Sequence, residues 1–250
     1  MRPLVQIVPL TGMPEIAPGD DLAAIITEAV AQQSLQIAPG SIFVVAQKVV
    51  SKSEGKIVRL DSVKPSKRAV RWASKHKRDA RLIELALRNA KRIVRMKKGV
   101  IITETHSGFV CANAGVDTSN TPKGTAVLLP EDPDRSARRL KMKLARRFGK
   151  PVAVIISDTF GRPWREGLVN VALGVAGIGA LMDYRGRHDA GGRVLHATVI
   201  AVADELASAA ELVMGKSNGI PVVLIQGLAA ERSSGSGRDL IRPAKRDLFR

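Results

Sequence analysis

The chain predicts an α/β (α+β) fold, with mixed sheets and flanking helices. Two patterns carry that reading. Residues 41–46 (SIFVVA), 152–156 (VAVII) and 222–225 (VVLI) are short, almost wholly apolar and rich in β-branched side chains, as strands buried on both faces are. Between them, apolar residues recur at helical spacing: Leu22, Ile25, Ile26, Ala29 and Val30 form one stripe, and Leu206, Ala209, Ala210 and Val213 another. The 250 residues are 45% hydrophobic but only 3% aromatic. A core is therefore affordable without disorder, and Val, Ile, Leu and Ala must build it.

In chain order, residues 4–8 read as a strand that ends in the turn PLTG. A helix follows, with Asp20 as its expected N-cap. After strand 41–46 comes a polar segment, 47–55, read as a loop that carries two lysines. Residues 66–96 read as two or more helices, because Leu82, Ile83, Ala86, Leu87, Ala90, Ile93 and Val94 keep a helical period between basic residues. Segments 100–103 and 109–112 suggest a hairpin around His106, Ser107 and Gly108. A run of short polar side chains, 113–120, suggests a turn. A strand at 126–129 and a basic amphipathic helix at 136–148 lead to strand 152–156. Past it, Ser157, Asp158 and Thr159 are expected just beyond the strand end, before a Gly-Arg-Pro turn. The glycines of GVAGIG (174–179) lack the spacing of a dinucleotide fingerprint and suggest close packing instead. A polar loop at 183–193, a strand at 194–202, a helix at 204–214 and the strand 222–225 complete the body. A ligand-handling domain spanning 1–228 and a basic tail at 229–250, loose until Asp239, are the expected division.

Composition narrows the function classes. The net charge of +17 attracts polyanions. A nucleic-acid-binding protein is one reading, but no stacking module or recognisable motif accompanies the charge, so nucleic acid is not the expected partner. One cysteine, Cys111, excludes an internal disulfide and points to a cytoplasmic setting. No apolar run reaches the roughly 20 residues a spanning helix needs, so no membrane is expected.

Two carboxylates stand at strand ends, Asp117 and Asp158, the latter beside the hydroxyl of Thr159. Such hard oxygens suit Mg²⁺ or Mn²⁺. Lys52, Arg162 and Arg165 offer phosphate or carboxylate contacts. The four histidines are scattered, although His188 lies next to Asp189 in a polar loop. The sequence Gly215-Lys216-Ser217 is not a P-loop: position 210 is Ala210, and the order is helix, loop, strand. If it binds phosphate, it does so as another kind of backbone nest. Together these features describe a metal-dependent nucleotide enzyme performing phosphoryl transfer on an acidic substrate.

Eight segments in order, PLTGMPEI (9–16), GDDLA (19–23), VVSKSEG (49–55), CANAGVDTSN (111–120), LLPEDPD (128–134), VIISDTFGRPWREG (154–167), VADELASAAELVMGK (202–216) and GIPVVLIQG (219–227), resemble the coenzyme F420:L-glutamate ligases, also called F420-0:γ-glutamyl ligases. The resemblance implies a GTP-dependent ligase that joins L-glutamate to the F420 precursor through an acyl phosphate, can extend the product by γ-links, and releases GDP and phosphate. It implies an unusual α/β fold in an intertwined homodimer. It also implies two divalent ions, Mg²⁺ or Mn²⁺, with K⁺ as a further candidate. Asp117 and Asp158 look like ligands of one ion and Thr159 of the second. Thr11, Gly12, Met13, Pro14, Gln47, Lys52, Asn120 and the loop Met214, Gly215, Lys216, Ser217, Asn218 and Gly219 look like nucleotide-binding positions. Catalytic roles fall to Asp117, Asp158, Lys52 and Arg162, with Arg165 and the 183–193 loop as further acidic-substrate contacts. Lys216 stands where some members carry an acidic residue.

Overall fold

The computed structural model describes residues 4–228 and 233–247. In chain order the strands are β1 (Gln6–Pro9), β2 (Ile42–Ala46), β3 (Ile57–Arg59), β4 (Ala90–Lys97), β5 (Val100–Thr105), β6 (Val110–Ala112), β7 (Thr125–Val127), β8 (Ala153–Arg162), β9 (Arg165–Ala176), β10 (Met182–Asp183), β11 (Val199–Ile200) and β12 (Val222–Gln226). The helices are α1 (Leu22–Gln32), α2 (Gln47–Ser53), α3 (Lys67–His76), α4 (Ala80–Arg88), α5 (Pro133–Phe148) and α6 (Val202–Met214).

A five-stranded sheet of order β1-β12-β2-β8-β9 forms the centre. Only the β2–β8 pair is parallel; its neighbours run antiparallel. The apolar strands alternate between two cores. Phe43, Val45, Val154 and Ile156 face one side, under Leu22, Ile26 and Val30 of α1 and Leu140 and Leu144 of α5. Ile42, Val44, Ile155 and Val175 face the other, under Leu206 and Ala210 of α6. Helices on both faces explain why these strands read as unbroken apolar runs. A second region, built from the β4-β5-β6 and β3-β7 sheets with α3 and α4, carries its own smaller clusters around Leu60 and Leu85, and around Ala69 and Ile101.

The predicted mixed α/β architecture is present, and so are the expected hairpin and the helix-loop-strand order around Gly215. Gly174 packs as anticipated: a Cβ there would collide with the Pro133 carbonyl. Several expectations change, beginning with the N-cap of α1: it is Asp21, with no side-chain cap hydrogen bond, while Asp20 Oδ2 accepts the Ala17 backbone N–H at 2.8 Å. The polar segment 47–55 holds helix α2, whose Gln47, Val49, Val50, Ser51 and Lys52 are buried; seven residues are too few for a period to show. Helix ends at Arg88 and β4 follows, paired with β5. Pairing with β5 overrides a helical period that continues through Ala90, Ile93 and Val94. Of the strand expected at 194–202, Val199 and Ile200 pair with Met182 and Asp183, and Val194 makes an isolated bridge to His188. The tail is docked before Asp239: Ser236 Oγ donates to Asp134, and Gly237 N donates to Asp134 Oδ1 at 2.7 Å. Residues 229–232 of that expected loose stretch lie outside the described residues. Among the described residues no helix is long and apolar enough to cross a membrane.

One departure in register positions the chemistry. β8 does not stop at Ile156 but runs on to Arg162, so Asp158 and Thr159 lie within the strand and not past its end. Its parallel neighbour β2 stops pairing at Ser157, where α2 takes over. On the other side β9 has one extra residue, Leu173, between the partners of Ile156 and Ser157. A bulge of this kind bends a strand and re-aims its side chains. The polar triplet therefore emerges where the sheet loses one neighbour and kinks against the other.

Candidate functional site

The site is a cavity of about 1510 Å³ between the two regions. Its floor is the strand segment Ser157 to Arg162. Its walls are α2, the 111–122 segment, the Met13 to Ile16 segment and the loop after α6. The volume exceeds the roughly 300–1,000 Å³ typical of a single small-ligand pocket, so two substrates can share it.

Asp117 hangs from a loop, pinned by one isolated bridge to Val127. Its carboxylate accepts the Ser119 backbone N–H at 2.8 Å and the Ser119 hydroxyl at 2.9 Å, and pairs with Lys48 Nζ at 2.7 Å. Burial pushes its pKa up, but the Lys48 and Ser119 hydrogen bonds outweigh burial and hold it below the usual carboxylate value. Asp158 has the opposite environment. Burial, with the negative charge of Asp117 nearby, pushes its carboxyl up to about 6 against the Thr159 backbone N–H and the more distant Lys48 and Lys216. Two carboxylates with divergent pKa values in one cleft mark a functional site.

Lys52 is 4% exposed. Its ammonium donates to the Asn120 carbonyl at 2.8 Å and to Glu15. Asn120, with a positive φ of 53°, turns this carbonyl inward, and its side-chain amide reaches the Lys216 carbonyl at 3.4 Å. Gln47 and Ser157 line the cavity, fully buried, with Gln47 Nε2 and Ser157 Oγ lacking a protein partner. Unpartnered buried polar atoms beside a cavity are poised for a ligand.

A second cluster lies around Thr159. Its hydroxyl donates to Asn170 Oδ1 at 2.6 Å, and Asn170 Nδ2 donates to Glu211 Oε2 at 2.9 Å. Lys216 Nζ donates to Thr159 Oγ1 and stands 3.5 Å from Glu211 Oε1.

Most of the expected residues meet here. Met13, Pro14, Gln47, Lys52, Asp117, Asn120, Asp158, Thr159, Arg162, Met214, Gly215, Lys216, Ser217 and Gly219 all line the cavity. Thr11, Gly12 and Asn218 do not: Thr11 Oγ1 bonds Gln33, and Asn218 lies against Gly215. Arg165, His188 and the 183–193 loop also stay outside it. The loop folds on itself, Asp183 with Arg185 and Asp189 with the backbone of Gly191 and Arg193. Lys48, Glu15, Asn170 and Glu211 were not singled out. Asn170 had a signal, as a polar residue in an apolar run; Glu211 had none, since its helix position reads as solvated.

An ion must suit this donor set. Among the described residues no His, Cys, Asp and Glu group of three forms a ready metal cage. The Asp117–Asp158 place fits a hard divalent cation held with phosphate oxygens and water: two carboxylates lie near each other, and the one ammonium in contact, Lys48, is paired to Asp117. The Thr159 place does not fit a second one, because Lys216 already puts an ammonium there.

Comparison with known proteins identifies the chain's family. Residues 12–227 match the F420-0:Gamma-glutamyl ligase family. The chain is 46% identical over 253 residues to the coenzyme F420:L-glutamate ligase of Methanopyrus kandleri, covering 99% of this chain and 98% of that one. Against the enzyme of the same name from Methanothermobacter thermautotrophicus it is 44% identical, over 98% and 99% of the two chains. Against that of Methanocaldococcus jannaschii it is 47% identical, over 90% of each. A match of this length, over every wall of the cavity just described, shows that the chain is a ligase of the F420-0:γ-glutamyl ligase family.

Proposed function

We propose that the protein is a GTP-dependent ligase that adds L-glutamate to the F420 precursor, F420-0, and extends it with further γ-linked glutamates. The observation that carries the reading is the convergence of Asp117, Asp158 and Lys52 on one cavity large enough for a nucleotide and an acidic acceptor together. Its relatives bear the name coenzyme F420:L-glutamate ligase, which supports the glutamate-adding part of the reading.

In this reading the precursor's carboxylate oxygen attacks the γ-phosphorus of GTP. The bond to the β-phosphate oxygen breaks, GDP leaves and an acyl phosphate forms. The amino group of glutamate then attacks the acyl carbon, the carbon–oxygen bond to phosphate breaks, and inorganic phosphate departs as the amine loses a proton. The chain's own groups hold the reactants. Lys52, buried and fixed by Asn120 and Glu15, presents a point charge to phosphate. Gly215, with a φ of 58°, turns the chain after α6 so that the backbone from Gly215 to Gly219 rims the cavity. Arg162, held by the carbonyls of Glu166 and Gly167, lines the cavity and would meet an acidic acceptor. A divalent ion, Mg²⁺ or Mn²⁺, held by Asp117 and Asp158 would neutralise charge during phosphoryl transfer.

The reading includes a homodimer. Trp164, 78% exposed at the tip of the β8–β9 hairpin, and Leu168, 66% exposed on β9, are apolar surface that a partner chain would cover; sedimentation of the full chain measures this. The reaction is tested by incubating the protein with GTP, Mn²⁺, L-glutamate and F420-0. The expected result is a product heavier by one glutamyl unit, with GDP and phosphate in equal amount. GTP hydrolysis without that product would leave a phosphoryl-transfer enzyme acting on some other acid.

A further inference from the structure

The two places in the cavity where oxygens gather differ in charge. At the first, Asp117 and Asp158 bring two carboxylates against one ammonium, Lys48. One negative charge is left over, and a cation is called for. At the second, Glu211 brings one carboxylate and Lys216 one ammonium. That place is already neutral.

Hydrogen bonding at the second place is also complete. The Thr159 hydroxyl gives its proton to Asn170 Oδ1, so its lone pairs turn towards Lys216 Nζ. Asn170 is 4% exposed, and its amide gives a proton to Glu211 Oε2, which leaves Oε1 for the lysine. Thr159 Oγ1, Asn170 Oδ1 and Glu211 Oε2 thus each accept one hydrogen bond, Glu211 Oε1 has the lysine's ion pair, and the orientation of the amide follows from its two neighbours. The local backbone supports the arrangement. Gly215 is the C-cap of α6, and the turn there sends the Lys216 side chain back over the last turn of the helix to Glu211. A positive charge at a helix C-terminus is favoured by the exposed carbonyls there.

We propose that the Lys216 ammonium is a built-in cation at the Thr159–Glu211 place, so that this chain takes one divalent ion, between Asp117 and Asp158, where its family resemblance implies two. The inference deepens the proposed function and rests on its ion at Asp117 and Asp158. A tethered ammonium supplies one positive charge to a bound phosphate without the vacant coordination positions of a metal, and it cannot be removed by a chelator.

The experiment counts Mn²⁺ bound to the full-length protein, by the electron paramagnetic resonance signal of free Mn²⁺ during titration with the metal alone. The wild type should bind one ion per chain. Lys216→Met, which adds no ligand but frees Thr159 and Glu211, should bind two. Lys216→Glu should bind two, with the second at least tenfold tighter than in Lys216→Met. Adding Thr159→Val to Lys216→Glu should return the count to one. Two ions in the wild type, or an unchanged count in both Lys216 variants, would overturn the inference. The ion of the proposed function is judged separately: Asp158→Asn should remove the wild-type ion, and its retention would refute that assignment while leaving the gain at Lys216 to decide the inference.

Discussion

Asp117 and Asp158 face the same cavity from structures of opposite kinds. Asp117 sits on a loop whose geometry is made by side chains, through Ser119 and Lys48. Asp158 sits inside a ten-residue strand, held by the ladder to β9 and re-aimed by the bulge at Leu173. The loop carboxylate is satisfied and lies below its usual pKa; the strand carboxylate is short of partners and lies well above it. A rigid element can hold a charge where solvent and partners do not favour it, whereas a loop must supply its own counter-charges. The less comfortable of the two groups is the one with most to gain from a bound cation.

The largest effect expected is on turnover. Asp158→Asn and Asp117→Asn should each lower the rate of glutamyl transfer on the order of 10³-fold, since each removes charge from the group that would offset the transferring phosphate. Single-turnover assays with GTP and F420-0 measure this, and a variant within threefold of wild type would remove that residue from the reaction. Next is Lys52→Met, expected to lower kcat/KM for GTP about 10²-fold. A loss seen equally with nucleotide saturating would place the lysine in the chemical step and not in binding.

The pH dependence sharpens the contrast. Binding a cation requires Asp158 ionised, so activity should fall about tenfold per pH unit below about 6, while Asp117, held below the usual carboxylate value, adds no inflection there. In Asp158→Asn the residual activity should lose that inflection.

The smallest effect is on stability, and its sign differs between the two sites. Asp158 binds its proton more tightly in the folded chain than in the unfolded one. Its ionisation therefore costs the fold nothing below about pH 4, and progressively more as pH rises from there to about 6. At pH 8 in chelator, Asp158→Asn should stabilise the protein by about 1–2 kcal/mol, after screening through the open cavity. Asp117→Asn should destabilise it by about 1 kcal/mol, because its depressed pKa contributes stability at every pH above the unfolded value and Lys48 is left without a counter-charge. Thermal melts of both variants decide the matter; shifts of the same sign would break the comparison.

Much of this could be read from residue order. The buried runs 152–156 and 222–225 and the stripes of α1 and α6 announced a sheet covered on both faces, and the strings CANAGVDTSN and VIISDTFG carried the family and its two carboxylates. Burial and helical spacing are local properties, so they show in local sequence. The second region was less legible. AKRIVRMK kept enough of a helical period to pass for helix, and only its pairing with β5 made it a strand. Helix α2 was too short to have a period at all.

The sequence alone determined the fold class, the family, and which oxygens and lysines were available for chemistry. Only the tertiary structure decided how they are shared. Lys48 goes to Asp117, Lys52 to Asn120 and Glu15, and Lys216 to Thr159 and Glu211, while Asp158 is left without a cation. These pairings join residues as far apart as 57, 68 and 69 positions along the chain. They depend on where β8 outruns β2 and where β9 bulges, and the energy of a charge depends on its distance to every other charge and not on its place in the chain.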